Sequence, residues 1–343
     1  MSLRIAILGV AHYHANFWTK AFLASEGVAV TGAFDADPAR LEAFARQHDI
    51  AAVTDLATLL SGSDAVAICS ETVNHPELVR AAAEKGLPVL CEKPLGATME
   101  QCDAIAAIVA DSGIRFMQSF PKRFDPVNHE IAALLHDGAI GRVTLVRVRH
   151  GHSHGFDPNF QKAWFVDPAQ SGGGTLLDEG VHAADFLHWL FGMPVSVYAT
   201  ISSGTFDLPV EDTAAAIFRY ADGMIAEVTT SWAFAAADTS IEIYGKEGTI
   251  LLGGVDIASR PTRDSDFLRV FRRDVGGGSW TSSPTVPHFK TGIFHEHVAW
   301  AFIKALKDGR PMPVTLDDGR QAFAMIDAAY RSVRSGRAEP ISL

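Results

Sequence analysis

Between residues 4 and 118, short apolar runs alternate with segments of helical character, and this alternation narrows the possible folds more than any other feature. RIAILGV reads as a buried strand and the segment from His14 to Ser25 as a helix. VAVTGAFD reads as a second strand ending at Asp35. Asp37 and Pro38 then open a helix, as N-cap and first helical residue. DAVAICS is a further strand. Pro76 opens the helix PELVRAAAEKG, and Gly86 ends it. LPVLCEK is a strand, Thr98 with Gln101 predicts a capping box for a helix to about Asp111, and IRFMQS closes the series. Short strands separated by helices pair in parallel through crossovers, so the expected architecture is a doubly wound parallel sheet of the α/β class. Such sheets bind ligands at the carboxyl ends of their strands. Those ends hold Gly9 to Tyr13, Asp35, Ser70 to His75, and Glu92 to Pro94.

Near Pro121 the pattern changes. VTLVRVRH, VSVYATIS, TAAAIFRY, MIAEVTTSW, TSIEIYG and TILLGG are extended runs, and few helices separate the last five, which predicts a mostly antiparallel sheet. The stretch from Ser259 to Phe289 holds a glycine triplet and three prolines and reads as loop, and a helix-rich tail follows from Phe294 to Arg334. A chain of 343 residues suits two domains, here expected at 1–121 and 122–343, with the tail helices able to pack back on the first. The net charge of −11 argues against nucleic acid or an anionic membrane as partner. No apolar stretch approaches the ~20 residues of a membrane span. Cys69, Cys91 and Cys102 are odd in number and form no CxxC, which argues against a disulfide framework and fits a reducing cytoplasm.

LGVAHYHANFW, from Leu8 to Trp18, starts like the dinucleotide-binding fingerprint Gly-x-Gly-x-x-Gly and then departs from it. Gly9 keeps the tight first turn. Ala11 adds a methyl where the backbone should approach a pyrophosphate, and His14 replaces the glycine of close helix–strand packing. The context compensates: a strand precedes, a helix start follows, and Asp35 lies 26 positions after Gly9, near the spacing of a ribose-binding acid. A polar strand end is the plain alternative for Asp35, and the flanking pattern favours the ribose role. For His12 and His14 a turn followed by a helix start offers poor convergence on a metal, so packing or ligand contact is expected.

Two later motifs carry the chemistry. In CEKPLG, Lys93 ends a parallel strand, where its ammonium can hydrogen-bond an oxygen or lose a proton if desolvated. An ordinary solvated lysine is the plain alternative. In SGGGTLLDEGVHAADFLHWLFG, Asp178 and His182 are spaced i, i+4, and Asp185 and Trp189 continue that stripe on an otherwise apolar helix. A polar stripe there predicts a cleft, with histidine as proton donor or acceptor, against the alternative of a solvent-facing pair.

These motifs resemble the glucose–fructose oxidoreductase/inositol dehydrogenase (Gfo/Idh/MocA) family. EKP followed by GGG-x-L-x-D-x-G-x-H-x-x-D carries the likeness. NHP at Asn74, RFDP at Arg123, GAIG at Gly138, SW at Ser231, YGKEGTI at Tyr244 and the tail DGRQAFAMIDAAYRS extend it over nearly the whole chain. The resemblance implies a Rossmann domain, a second α/β domain with an open antiparallel sheet, and NAD(P)-dependent oxidation of a sugar or polyol. It implies Lys93, Asp178 and His182 as the catalytic set, and a cis bond before Pro94. The dinucleotide contacts expected are Gly9, Ala11, His12, Tyr13, Asp35, Ser70, Asn74, His75, Glu92 and Lys93. Those to substrate are Lys93, Arg123, His152, His154, Trp164, Asp178 and His182. Asp35 with Asp37 should repel a 2′-phosphate, so NAD is expected ahead of NADP. His182 would carry the hydroxyl proton, Lys93 would hold the same oxygen and Asp178 would orient the substrate, with the roles of Lys93 and His182 exchangeable. A sugar or nucleotide sensor, or a redox-neutral eliminase or hydrolase using transient oxidation, are the rival functions on this fold. His150, His152 and His154 share a face if their strand continues, which suits a polyol wall or a metal, but the resemblance implies no metal. A homodimer or homotetramer through the second sheet is expected.

Overall fold

The computed structural model describes residues 2–273 and 277–343. Two compact units emerge. The first runs to Pro121 and adds Ala169–Gly172 and Gly292–Arg320, and the second comprises Lys122–Pro168, Gly173–Thr291 and Gln321–Leu343.

In the first unit, β1 (Leu3–Leu8), β2 (Val28–Phe34), β3 (Ala65–Ile68), β4 (Val89–Cys91) and β5 (Phe116–Gln118) form one sheet in the order β2-β1-β3-β4-β5. Every pairing is parallel. Ile5, Ile7, Leu8 and all of β3 are buried, because helices cover the sheet and leave no wet face. Each fully buried Ile or Leu contributes about 1.5–3 kcal/mol. Asp37 caps the helix Pro38–His48 by accepting from the Ala39 and Arg40 N–H groups. The capping box at Thr98 is modified. Thr98 accepts the Gln101 N–H at 3.3 Å, but Gln101 Oε1 reaches one residue further back, to the Ala97 N–H. From the tail, the helix Ile293–Asp308 packs on the helix Ala15–Leu23.

The second unit is built on a nine-stranded sheet. Its members are β6 (Val143–Arg149), β7 (Ser196–Ser202), β8 (Thr213–Arg219), β9 (Ile225–Ser231), β10 (Thr239–Gly245), β11 (Gly248–Val255), β12 (Leu268–Arg272), β13 (Ser279–Ser282) and β14 (Glu339–Pro340). The order is β13-β12-β11-β10-β6-β9-β8-β7-β14. Only β6 with β9 is parallel; the other pairings are antiparallel. Side chains alternate as a half-covered sheet requires. Val146, Val148, Ala214, Ala216, Phe218, Ala226 and Val228 are buried, and the helices Thr175–Asp178 and Gly180–Phe191 pack on this unit's strands β8 and β9.

Three expectations are corrected. The stretch from Ser259 to Phe289 is not all loop, since β12 and β13 lie within it. The strand of VRVRHGHSH ends at Arg149. The His150 and His152 N–H groups still bond Thr229 O (3.0 Å) and Ser231 O (2.9 Å) beside β9, and the chain then turns into a 3₁₀ turn at His154–Phe156. The single helix drawn through Asp178 and His182 breaks at Glu179 into two.

Candidate active site

In the first unit the strand order reverses on either side of β1, and the chain leaves β1 at Gly9. Gly9 has φ +74°, and a Cβ on it would lie 2.3 Å from the Ser70 Cβ. Only glycine brings these two loops so close. The Gly9 N–H bonds Phe34 O (2.8 Å) and the His12 N–H bonds Cys69 O (3.0 Å), which ties the turn to the loops after β2 and β3. Ala11 is half-buried and Tyr13 exposed. His14, at the third fingerprint position, is a packing residue. Its Nδ1 lies 3.2 Å from Glu92 Oε1 and its ring sits on His295 (centroids 3.5 Å).

Asp35 is buried, and its carboxylate is heavily engaged. Oδ2 accepts from the Val10 N–H (2.7 Å) and Arg40 Nε (3.1 Å), and Oδ1 from the Asp37 N–H (2.8 Å) and Arg40 Nη2 (2.7 Å). Arg40 also bonds Glu71 Oε1 (2.7 Å), and Asn74 Nδ2 bonds Glu71 Oε2 (3.1 Å). Sequence reasoning missed Arg40 and Glu71. The helix turn after Asp37 brings Arg40 back over Asp35, five residues away, and a spacing of that kind was the available signal. Two carboxylates, Asp35 and Glu71, meet one guanidinium, and Asp37 adds a third negative charge beside them, which leaves this corner negative.

At the end of β4, Glu92 and Lys93 are buried, Lys93 with 3% of its surface exposed, and the Lys93–Pro94 peptide is cis. Gln118 Nε2 donates to Cys91 O (3.1 Å) and Glu92 O (3.0 Å), fixing the strand end. His75 is fully buried with Nδ1 3.3 Å from Leu95 O, and burial lowers its pKa, so it braces the Lys93–Leu95 turn as a neutral ring. Ser70 Oγ bonds Glu71 O at 3.0 Å.

In the second unit the glycine run has a steric cause. A Cβ on Gly174 would lie 2.1 Å from Glu211 O. The Glu211 carboxylate accepts from the N–H groups of Gly174 (3.1 Å) and Leu176 (2.9 Å) and from the Tyr330 hydroxyl (2.7 Å), which anchors the start of the helix Thr175–Asp178. Burial pushes its carboxyl pKa up.

That helix delivers Asp178 and Glu179 to a cluster of imidazoles. Trp232 Nε1 donates to Asp178 Oδ2 at 3.0 Å. Glu179 is buried. Its Oε2 lies 3.1 Å from His150 Nε2 and its Oε1 3.4 Å from His152 Nε2, while His152 Nε2 is 3.8 Å from Asp178 Oδ2. Burial and Asp178 push the Glu179 carboxyl up, but His150 and His152 outweigh them and hold it below its ordinary value. His182 meets the His150 ring edge-on at 5.2 Å. His154 stacks on His152 at 4.2 Å, and burial lowers its pKa. A small hollow opens beside them, lined by His152, His154, Phe234, Asp256 and Arg260 among others.

The stripe beyond His182 does not face a cleft. Asp185 is buried and takes a two-pronged bond from Arg123 (2.7 and 3.0 Å), whose guanidinium lies 5.8 Å from the Trp189 ring. Arg123, expected at the substrate, braces this helix. Trp164 is half-buried and stacks on Phe165 at 4.1 Å. The structure thus brings Asp178, His182, His152 and His154 together. It adds His150, Glu179 and Trp232, and sets Arg123 with Asp185.

Among the described residues, three sets of side chains place metal-ligating atoms within 4.8 Å of one another: His12, His14 and Glu92; His150, Glu179 and His182; and His152, Asp178 and Glu179.

A doubly wound dinucleotide-binding sheet followed by an open sheet unit with a buried Asp/His segment defines a class of oxidoreductases. Residues 3–120 match the family model described as "Oxidoreductase family, NAD-binding Rossmann fold", and residues 128–251 match "GFO/IDH/MocA C-terminal domain". The chain belongs to the GFO/IDH/MocA family of oxidoreductases. An inositol 2-dehydrogenase of Rhizobium meliloti (strain 1021) is 29% identical over 98% of both chains. A D-apiose dehydrogenase of Paraburkholderia graminis is 26% identical over 97% of this chain and 88% of that one. Among solved structures, a putative myo-inositol dehydrogenase from Sinorhizobium meliloti 1021 superposes with TM-score 0.79 at 26% identity, covering 99% of this chain and all of that one. The NADH complex of a levoglucosan dehydrogenase superposes with TM-score 0.86 at 22% identity over the whole of both chains, which speaks to fold alone.

Proposed function

We propose that the chain is an NAD-dependent dehydrogenase that moves a hydride between C4 of the nicotinamide and a hydroxyl-bearing carbon of a sugar or polyol. The observation that carries this reading is Lys93, a lysine buried at the carboxyl end of β4 in an NAD-binding sheet. Residues 1–121 hold the dinucleotide through Gly9, Ala11, His12, Tyr13, Asp35, Ser70, Asn74, His75, Glu92 and Lys93. Residues 122–343 supply Asp178 and His182, with His152, His154 and Trp164 toward the substrate. Lys93 and His182 act on one hydroxyl oxygen, one holding it and the other carrying its proton, and Asp178 orients them. Imidazole and amine are the side chains suited to proton transfer near neutrality. The negative corner at Asp35, Asp37 and Glu71 favours NAD over a cofactor with a 2′-phosphate. The names of the aligned relatives support the substrate class.

The enzyme is cytoplasmic and works as a homodimer or homotetramer. The buried thiols of Cys69, Cys91 and Cys102 suit a reducing compartment, and no described helix is long and apolar enough to cross a membrane. A panel of polyols and sugars with NAD and with NADP, read by NADH absorbance, tests the reading. Net NADH with at least one polyol is expected. Binding without turnover would instead mark a sensor, and product without net NADH a redox-neutral enzyme.

A further inference from the structure

The histidines around Glu179 suggest more than a polyol wall. His152 Nδ1 accepts the His154 N–H at 3.0 Å. Its Nε2 faces Glu179 Oε1 (3.4 Å) and Asp178 Oδ2 (3.8 Å), so both ring nitrogens of His152 are already engaged. The same test weakens the set in the first unit, because His12 Nδ1 accepts the His14 N–H at 3.2 Å.

His150, Glu179 and His182 remain. All three are buried, and their ligating atoms lie within 4.8 Å of one another. His150 Nε2 and Glu179 Oε2 are 3.1 Å apart. Bonds of about 2.0–2.1 Å to a tetrahedral ion set neighbouring ligand atoms roughly 3.3 Å apart, so this pair already has the separation of two ligands on one ion. Two histidines and one glutamate make a three-ligand set that leaves a fourth position open. A supporting shell is present as well: His152 Nε2 lies 3.4 Å from the other oxygen of Glu179, and its own ring is fixed by the His154 N–H. Such outer partners hold first ligands in orientation.

We infer that His150, Glu179 and His182 form a binding site for one first-row divalent cation, zinc ahead of the others, with water or the substrate hydroxyl in the open position. The inference rests on the dehydrogenase reading and bears on which of two residues carries the proton. With the His182 nitrogen on the cation, the ion would polarise the hydroxyl oxygen, and Lys93, as its neutral amine, would take the hydroxyl proton. The hydride passes from the carbinol carbon to C4 of NAD⁺, leaving a carbonyl and NADH, and the cation is neither oxidised nor reduced.

The test is metal content. Full-length protein from zinc-supplemented medium, dialysed against metal-free buffer, is measured by plasma mass spectrometry. It is then stripped with a chelator and titrated with Co²⁺ while visible absorption and thermal unfolding are followed. About one zinc per chain, a visible d–d band saturating at about one cobalt, and a rise in Tm on loading are expected. His150→Ala and Glu179→Gln should lose the band, and His152→Phe, which removes no ligand, should weaken affinity about 10–100-fold. Circular dichroism of the stripped variants shows whether they fold, and the wild-type titration needs no variant. Wild type that holds no metal and shows neither band nor Tm change overturns the inference. So does a band that persists in folded His150→Ala and Glu179→Gln. NADH production without metal would sink this site and leave the dehydrogenase reading standing, whereas metal binding without NADH would do the reverse.

Discussion

At the scale of single residues, Lys93 and His182 should each matter for turnover and little for cofactor binding. Replacing either with Ala should lower kcat by ~10²–10⁴, the usual weight of acid–base catalysis, while NADH fluorescence titration still shows binding. Near-normal kcat in either variant removes that residue from the mechanism. Asp35→Ala should raise the KM for NAD and narrow the preference over NADP, because it removes one of the two carboxylates that face the Arg40 guanidinium. A wild type that prefers NADP more than about tenfold contradicts this, since ~1.4 kcal/mol per tenfold would then favour the phosphate. Asp185→Ala removes the two-pronged partner of the half-buried Arg123 guanidinium and should cost roughly 1.5–3 kcal/mol in denaturant unfolding. Much of the candidate site was legible as residue types at fixed positions: Gly9, Asp35, Lys93, Asp178 and His182 all follow from the order of motifs. Arg40, Glu71 and Glu179 were not, because nothing in a lone charged residue says which carboxylate or imidazole it will face after folding. Asp185 misled for the same reason. A polar stripe looks identical whether it meets solvent or a buried arginine.

At the scale of elements, the parallel sheet was readable because apolar strand and helix alternate with clear caps at Asp37 and Thr98. The strands β12 and β13 were hidden by flanking glycine and proline, whose turn signals outweigh short strands such as Leu268–Arg272. The helix break at Glu179 was hidden too, since nothing in LLDEGVH forbids a continuous helix. That break is what carries Glu179 to His150 and His152. Gly174→Ala tests the support beneath it. The added methyl meets Glu211 O, so the helix start must shift, and stability should fall by about 1–3 kcal/mol with kcat reduced in parallel. Unchanged Tm and kcat would show that the glycine run is dispensable.

At the scale of the whole molecule, the outer face of the nine-stranded sheet is mixed. Arg147 reaches Glu227 (3.1 Å) and Glu242 (3.3 Å), while Tyr198 (49% exposed) and Ile217 (50%) project from β7 and β8. Large apolar side chains on an uncovered sheet favour an interface, and a biological one should bury more than about 1,000 Å². Light scattering at micromolar concentration should therefore return a dimer or tetramer, and Ile217→Glu with Tyr198→Glu should shift it toward monomer. A wild-type monomer would remove the interface. The central claim, hydride transfer from a carbinol carbon to NAD, is tested most directly by isotope. A polyol that gives turnover is prepared with deuterium on the carbon to be oxidised, and the cofactor is analysed by mass spectrometry after many turnovers. The account predicts one deuterated NADH for each molecule of carbonyl product, with the label accumulating in the cofactor. Product that keeps its deuterium while NAD⁺ is undiminished would contradict it.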